Sequence, residues 1–68
     1  MNEFLGEATI ERRGYATGVE SLRRLYTRTR GPITPAEFRR QLLEAGCQIA
    51  DVAGGGQLVL HRRKRGAP

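Results

Sequence analysis

Apolar positions along this 68-residue chain fall into four groups, and each group has its own spacing. Phe4, Leu5 and Ala8 recur at helical intervals after Asn2, a residue able to cap a helix, and Gly14 offers a stop. The pattern predicts a first helix from about Glu3 to Arg12. Gly6 weakens it, and Thr9-Ile10 followed by charges reads equally as the start of a strand. Val19, Leu22, Leu25 and Tyr26 mark a second helical stripe. It follows a capping-box pattern at Thr17-Gly18-Val19-Glu20 and ends at Gly31-Pro32, where proline disfavours helical geometry in the residue before it. Residues 15–17 form the bridge into it.

A third helix is predicted over residues 34–45. Thr34 supplies a cap, Pro35 sits where a missing N–H costs nothing, and Glu37 completes a capping box. Phe38, Leu42 and Ala45 make its inward stripe, with Leu43 at the margin, and Gly46 is placed to end it with a positive φ. Cys47 and Ile49 then alternate, as do Leu58 and Leu60, around Gly54-Gly55-Gly56, which predicts a hairpin. His61 and the run Arg62-Arg63-Lys64-Arg65 extend its second strand, and residues 66–68 read as a frayed end. The expected class is therefore mainly α with a small β-hairpin. Its arrangement is a minimal winged helix-turn-helix, with three helices and a C-terminal wing, in one domain over residues 1–65. The first strand that many winged helices carry is missing from it, save for a stub that residues 15–17 could supply.

Composition narrows what such a domain can do. A chain this short buries only about 60% of its unfolded surface, and 38% of its residues are apolar with a mean hydropathy of −0.52. A deep substrate pocket is not expected, nor is a small-molecule substrate. No run approaches the roughly 20 apolar residues of a membrane span, and no leader-like segment opens the chain. The expectation is a cytoplasmic, nucleoid-associated protein. The single cysteine, Cys47, excludes an internal disulfide and a cysteine-based zinc site, and reads as a small buried hydrophobe. No carboxylate cluster has metal-ligand spacing, and the glycines are not followed by the Lys-Ser/Thr of a phosphate-cradling loop. Neither a metal nor a cofactor is expected.

Charge is the more directive feature. The net charge is +5 and the pI near 10.7. Residues 1–11 carry Glu3, Glu7 and Glu11 and no basic residue; residues 12–68 carry all 12 basic residues against four acidic ones, a balance of +8. Such a field favours polyanions through steering and counterion release. On the third helix Arg40 falls about 200° from Phe38, with Arg39 and Gln41 at the two borders. Arg pairs with guanine and Gln with adenine in the major groove, so these three are the candidate base contacts; the alternative is a solvated face with ordinary Glu–Arg pairs. Candidate phosphate contacts are Thr34, Arg23, Arg24, Arg28, Arg30, Arg62, Arg63, Lys64 and Arg65. Tyr15 is the one aromatic placed to stack on a base.

Two resemblances bear on function. Phe4-Leu5 with Glu7, the Val19–Tyr26 helix, Ile33-Thr34 with Glu37-Phe38, then Leu42-Leu43 and Ala45-Gly46 together resemble the C-terminal winged-helix domain of phage and plasmid primase-helicases, over residues 4–60. That family's second helix usually carries a Trp, which this chain lacks. The resemblance implies a DNA-docking module without the ATPase and primase domains. Residues 36–63, with Leu-Leu-Glu-Ala-Gly, the glycines and a histidine, are similar to messenger-RNA-cleaving toxins of the HicA type. There the catalytic histidine directly follows the glycine turn; here Gln57 and Leu58 do, and His61 comes later.

The expected function is non-enzymatic binding of double-stranded DNA, as a small regulator or a replication or recombination accessory factor. The third helix would enter the major groove, and the hairpin and basic tail would grip the backbone. The alternative is a protein-binding module that docks on a host enzyme or nucleoprotein complex. Phe4 and Leu5 of the first helix would then be its contact or homodimer face. An RNA-cleaving toxin is the lesser alternative.

Overall fold

The computed structural model describes residues 1–65; the expected frayed end, residues 66–68, lies outside them. Three helices, α1 (Asn2–Ala8), α2 (Val19–Arg30) and α3 (Pro35–Glu44), pack on a three-stranded antiparallel sheet. Its strands are β1 (Thr9–Gly18), β2 (Ile49–Asp51) and β3 (Gln57–Lys64), in the order β1-β3-β2. The fold class is α+β. This corrects the expectation of a mainly α chain with a small hairpin, the minimal winged helix-turn-helix. The end of the expected first helix, residues 9–12, instead opens a ten-residue strand that pairs along most of β3.

Local chemistry explains the exchange. Gly6 and the β-branched pair Thr9-Ile10 weaken a helix, and α1 stops at Ala8. Thr9 is 1% exposed, and its hydroxyl donates to the Leu5 carbonyl at 2.7 Å while its backbone turns extended. From there β1 pairs Thr9 with Lys64, Ile10 with Arg63 and Glu11 with Arg62, then resumes with Ala16–Leu60, Thr17–Val59 and Gly18–Leu58. The register breaks between, so that residues 12–15 stand against His61 alone. Gly14 (φ 87°) and His61 (φ 60°) both adopt left-handed backbone at this bulge.

α3 follows its sequence signals except that the capping box is half made, because the Glu37 carboxylate bonds Arg40 and Gln41 rather than reaching back to the Thr34 N–H. The Thr34 side chain accepts from the Glu37 N–H at 3.2 Å, and Pro35 occupies the first turn. At the other end the Gly46 N–H bonds Leu43 O and the Cys47 N–H bonds Leu42 O, both at 3.0 Å, with Gly46 at φ 91°. That is a Schellman stop, which glycine adopts without steric cost. The capping box expected at Thr17 does not form. Gly18 is the N-cap of α2, and the Thr17 hydroxyl donates across the sheet to Arg62 O at 2.8 Å. The core gathers Phe4, Leu5, Ala8, Val19, Leu22, Phe38, Leu42 and Val59. Phe38 is fully buried and meets Phe4 and Tyr26 edge-on, at centroid distances of 6.3 and 5.5 Å.

Candidate nucleic-acid interface

Three groups of side chains were candidates for contact with nucleic acid, and the fold treats each differently. The outer face of α3 carries Arg39, Arg40 and Gln41. Arg39 is exposed and makes no ion pair among the described residues. Arg40 is clamped between Glu37, one turn before it, and Glu44, one turn after, and the Gln41 amide donates to Glu37 at 3.2 Å. The Arg40 and Gln41 bonds hold the Glu37 carboxyl down at about 2, and its two carboxylate partners raise Arg40 above its ordinary value. Glu37 and Glu44 thus balance Arg39 and Arg40, and this face is zwitterionic. Leu43, read from the sequence as marginal to the core, is 46% exposed beside them. Thr34 is occupied as the cap of α3.

On α2 the arginines divide. Arg23 bonds the Glu20 carboxylate and also donates to Ile33 O at 3.1 Å, which fixes the connection between α2 and α3. This pairing lowers Glu20 and raises Arg23 from their ordinary values. Arg30 pairs with Glu7 of α1 at 2.8 Å, its guanidinium 6.0 Å over the Phe4 ring. Arg23 and Arg30 are therefore spent on holding the fold. Arg24 and Arg28 are exposed, without a hydrogen bond or ion pair among the described residues, and share a stripe with Ser21 at i, i+3 and i+7 spacing.

The third group lies at the far end of β3 from the hairpin. The hairpin turn, residues 52–56, contains no charged side chain, and its mouth is closed by a bond from Gln57 Nε2 to Asp51 Oδ1 at 2.9 Å. The basic residues begin about 20 Å along the strand from that turn. There the β1–β3 bulge, which opens after the Glu11–Arg62 pair, carries Arg12 and Arg13, some 50 positions earlier in the chain, next to Arg62, and Arg63, Lys64 and Arg65 follow along β3 toward the start of β1. Arg62 donates to Thr9 Oγ1 at 3.2 Å, and the Arg63 guanidinium lies 5.6 Å over the ring of Tyr15, which is 52% exposed. Lys64 reaches Ser21 Oγ at 3.3 Å, and Arg65 Nε bonds Gly6 O at 3.1 Å. The Lys64–Ser21 contact carries the basic end of the sheet onto the α2 stripe of Arg24 and Arg28. Six cations and one acid, Glu11, occupy this end of the ladder.

Arg12 and Arg13 were missed as candidates because a helical reading of residues 3–12 places them away from the tail. The strand reading of Thr9-Ile10 was the signal that would have found them. Phe4 and Leu5, the protein-contact or homodimer face of the alternative reading, are 3% and 1% exposed and belong to the core. Cys47, expected as a buried hydrophobe, is only half-buried at the margin of the core. Burial pushes its thiol up, and the Arg62 guanidinium partly opposes the shift. Among the described residues no His, Cys, Asp and Glu group could hold a metal ion, and no helix is long and apolar enough to cross a membrane. No family model, curated protein or solved structure matches the chain.

Proposed function

We propose that this protein binds double-stranded DNA without acting on it chemically, as a small regulator or a replication or recombination accessory factor. The observation that carries the reading is the β1–β3 register, whose bulge brings Arg12 and Arg13 next to Arg62, so that a basic band runs from them along Arg63, Lys64 and Arg65 and continues through Lys64 onto α2. Phosphate contacts from such a band supply affinity and orientation without reading sequence. α3 is the element available to a groove: Arg39 is free to reach a base edge, whereas Arg40 must exchange its carboxylate partners for one. Exposed pairs of this kind are weak, so the exchange is cheap. The carboxylates left behind would repel phosphate, which favours the sheet end over α3 as the principal anchor.

Fluorescence anisotropy with a random duplex tests it. Four phosphate contacts give a salt slope of about −3.6, so affinity should fall roughly 100-fold between 50 and 200 mM salt. An affinity that changes less than about threefold over that range refutes phosphate binding.

A further inference from the structure

Beside the bulge, Glu11, Arg13, Gly46, Cys47, Gln48, Leu60, His61 and Arg62 line an open cleft of about 410 Å³. Three independent elements meet there: the bulged part of β1, the chain leaving the Schellman stop of α3, and β3 at its left-handed residue. Its charged groups are Arg13, Arg62 and Glu11, with the His61 imidazole as a further donor and the Gln48 amide beside them. The His61 backbone is the only non-glycine residue with positive φ in the described chain. Such conformations are costly away from glycine and are found where surrounding structure enforces them. Here the bulge enforces it, and the same irregularity shapes the cleft.

We infer that this cleft is a phosphate-binding site that takes a single phosphate group through Arg13 and Arg62, with His61 and Gln48 as additional hydrogen-bond donors. This deepens the DNA-binding reading and rests on it only for the source of the phosphate, which is a backbone phosphate of the duplex or a free phosphate-bearing ligand. Glu11 opposes Arg62 across the ladder and lines the same cleft. It therefore works against the anion and limits affinity, which gives the site a signature that a diffuse positive surface lacks.

The probe is inorganic phosphate, added at constant ionic strength to the ¹⁵N-labelled protein and followed by amide chemical shifts. Saturable shifts confined to Glu11 and Arg13 with their chain neighbours, Gly46, Cys47, Gln48 and residues 60–62 are expected. Arg13→Ala should weaken binding about fivefold and Glu11→Gln should tighten it, as one unit charge at contact distance is worth about 1 kcal/mol in water. Ala53→Glu, in the hairpin turn, makes the same change in net charge roughly 16 Å of extended chain from Gln48 and should leave the affinity unchanged. The amide spectrum of each variant reports its fold directly. Shifts spread over all the arginine-bearing surfaces, or an Ala53→Glu effect equal to that of Arg13→Ala, would overturn the site. If a duplex then displaces the phosphate, its backbone is the source. If a duplex binds while the phosphate shifts persist, or no duplex binds, the source is a free phosphate-bearing ligand. In this way the site and the DNA-binding reading fail separately.

Discussion

Replacing Thr9 with valine removes a hydroxyl while keeping the shape of a buried side chain, and so isolates what ties α1, β1 and β3 together. The hydroxyl donates to Leu5 O at 2.7 Å and accepts from Arg62 Nη1 at 3.2 Å. The first bond is worth about 1 kcal/mol. The Leu5 carbonyl also receives the Thr9 backbone N–H, so the substitution does not orphan it. The second bond involves a charged donor that is partly exposed, which reduces its worth to about 0.5–1 kcal/mol. Thr9→Val should therefore cost about 1.5–2 kcal/mol, out of the roughly 3–10 kcal/mol expected for a domain of this size. The midpoint of thermal unfolding, followed by circular dichroism, should fall by about 6–16 °C. A cycle with Arg62→Met should return a coupling of about 0.5–1 kcal/mol. A loss below about 0.5 kcal/mol, or strict additivity with Arg62→Met, would mean that β1 is not anchored to β3 in this register.

Three further substitutions probe the core, a helix end and an ion pair. Phe38→Ala removes a fully buried ring in contact with Phe4 and Tyr26 and should cost about 3–5 kcal/mol, enough to leave much of the protein unfolded at 25 °C; a cooperative melt near that of the parent would contradict the core described. Gly46→Ala meets no neighbour but forces alanine to φ 91°, so urea titration should show a loss of about 1 kcal/mol. The Glu37 carboxyl is held at about 2 by Arg40 and Gln41, below its ordinary 4.5; its folded-state pKa is depressed, so its contribution is complete above pH 4.5 and is lost as pH falls through about 2. Glu37→Gln should accordingly flatten the acid decline of the melting temperature across that window, and parallel declines in variant and parent would remove the pair from the account.

The contrast between α3 and β1 shows what a sequence of this length reveals. The ends of α3 are set within a few residues by Thr34, Pro35 and Gly46, whose effects are local and do not depend on the rest of the fold. β1 is set by a partner some 50 positions away, and only its β-branched start hinted at it. Thr17 makes the same point on a smaller scale. Its sequence context is a capping box, yet the Arg62 carbonyl across the sheet takes its hydroxyl, and Gly18 becomes the cap instead. The candidate interface was legible in the same uneven way. The tail's charge was plain, whereas Arg12 and Arg13 became part of it only once the ladder was known. The arginines of α2 could not be sorted in advance, because Arg23 and Arg30 are bound by the Ile33 carbonyl and Glu7 from neighbouring elements.

The proposal that DNA is held at the basic end of the sheet is tested most directly by the salt dependence of duplex binding in two double variants. Arg12 and Arg13 are exposed and unpaired among the described residues, so replacing both with alanine should leave the fold intact. Their removal should make the salt slope shallower by about 1.8, the share of two phosphate contacts. Replacing Arg39 and Arg40 should leave the slope on random duplex unchanged and alter only the preference among sequences. An unchanged slope in the first variant, with a loss in the second, would move the anchor to α3 and contradict the account.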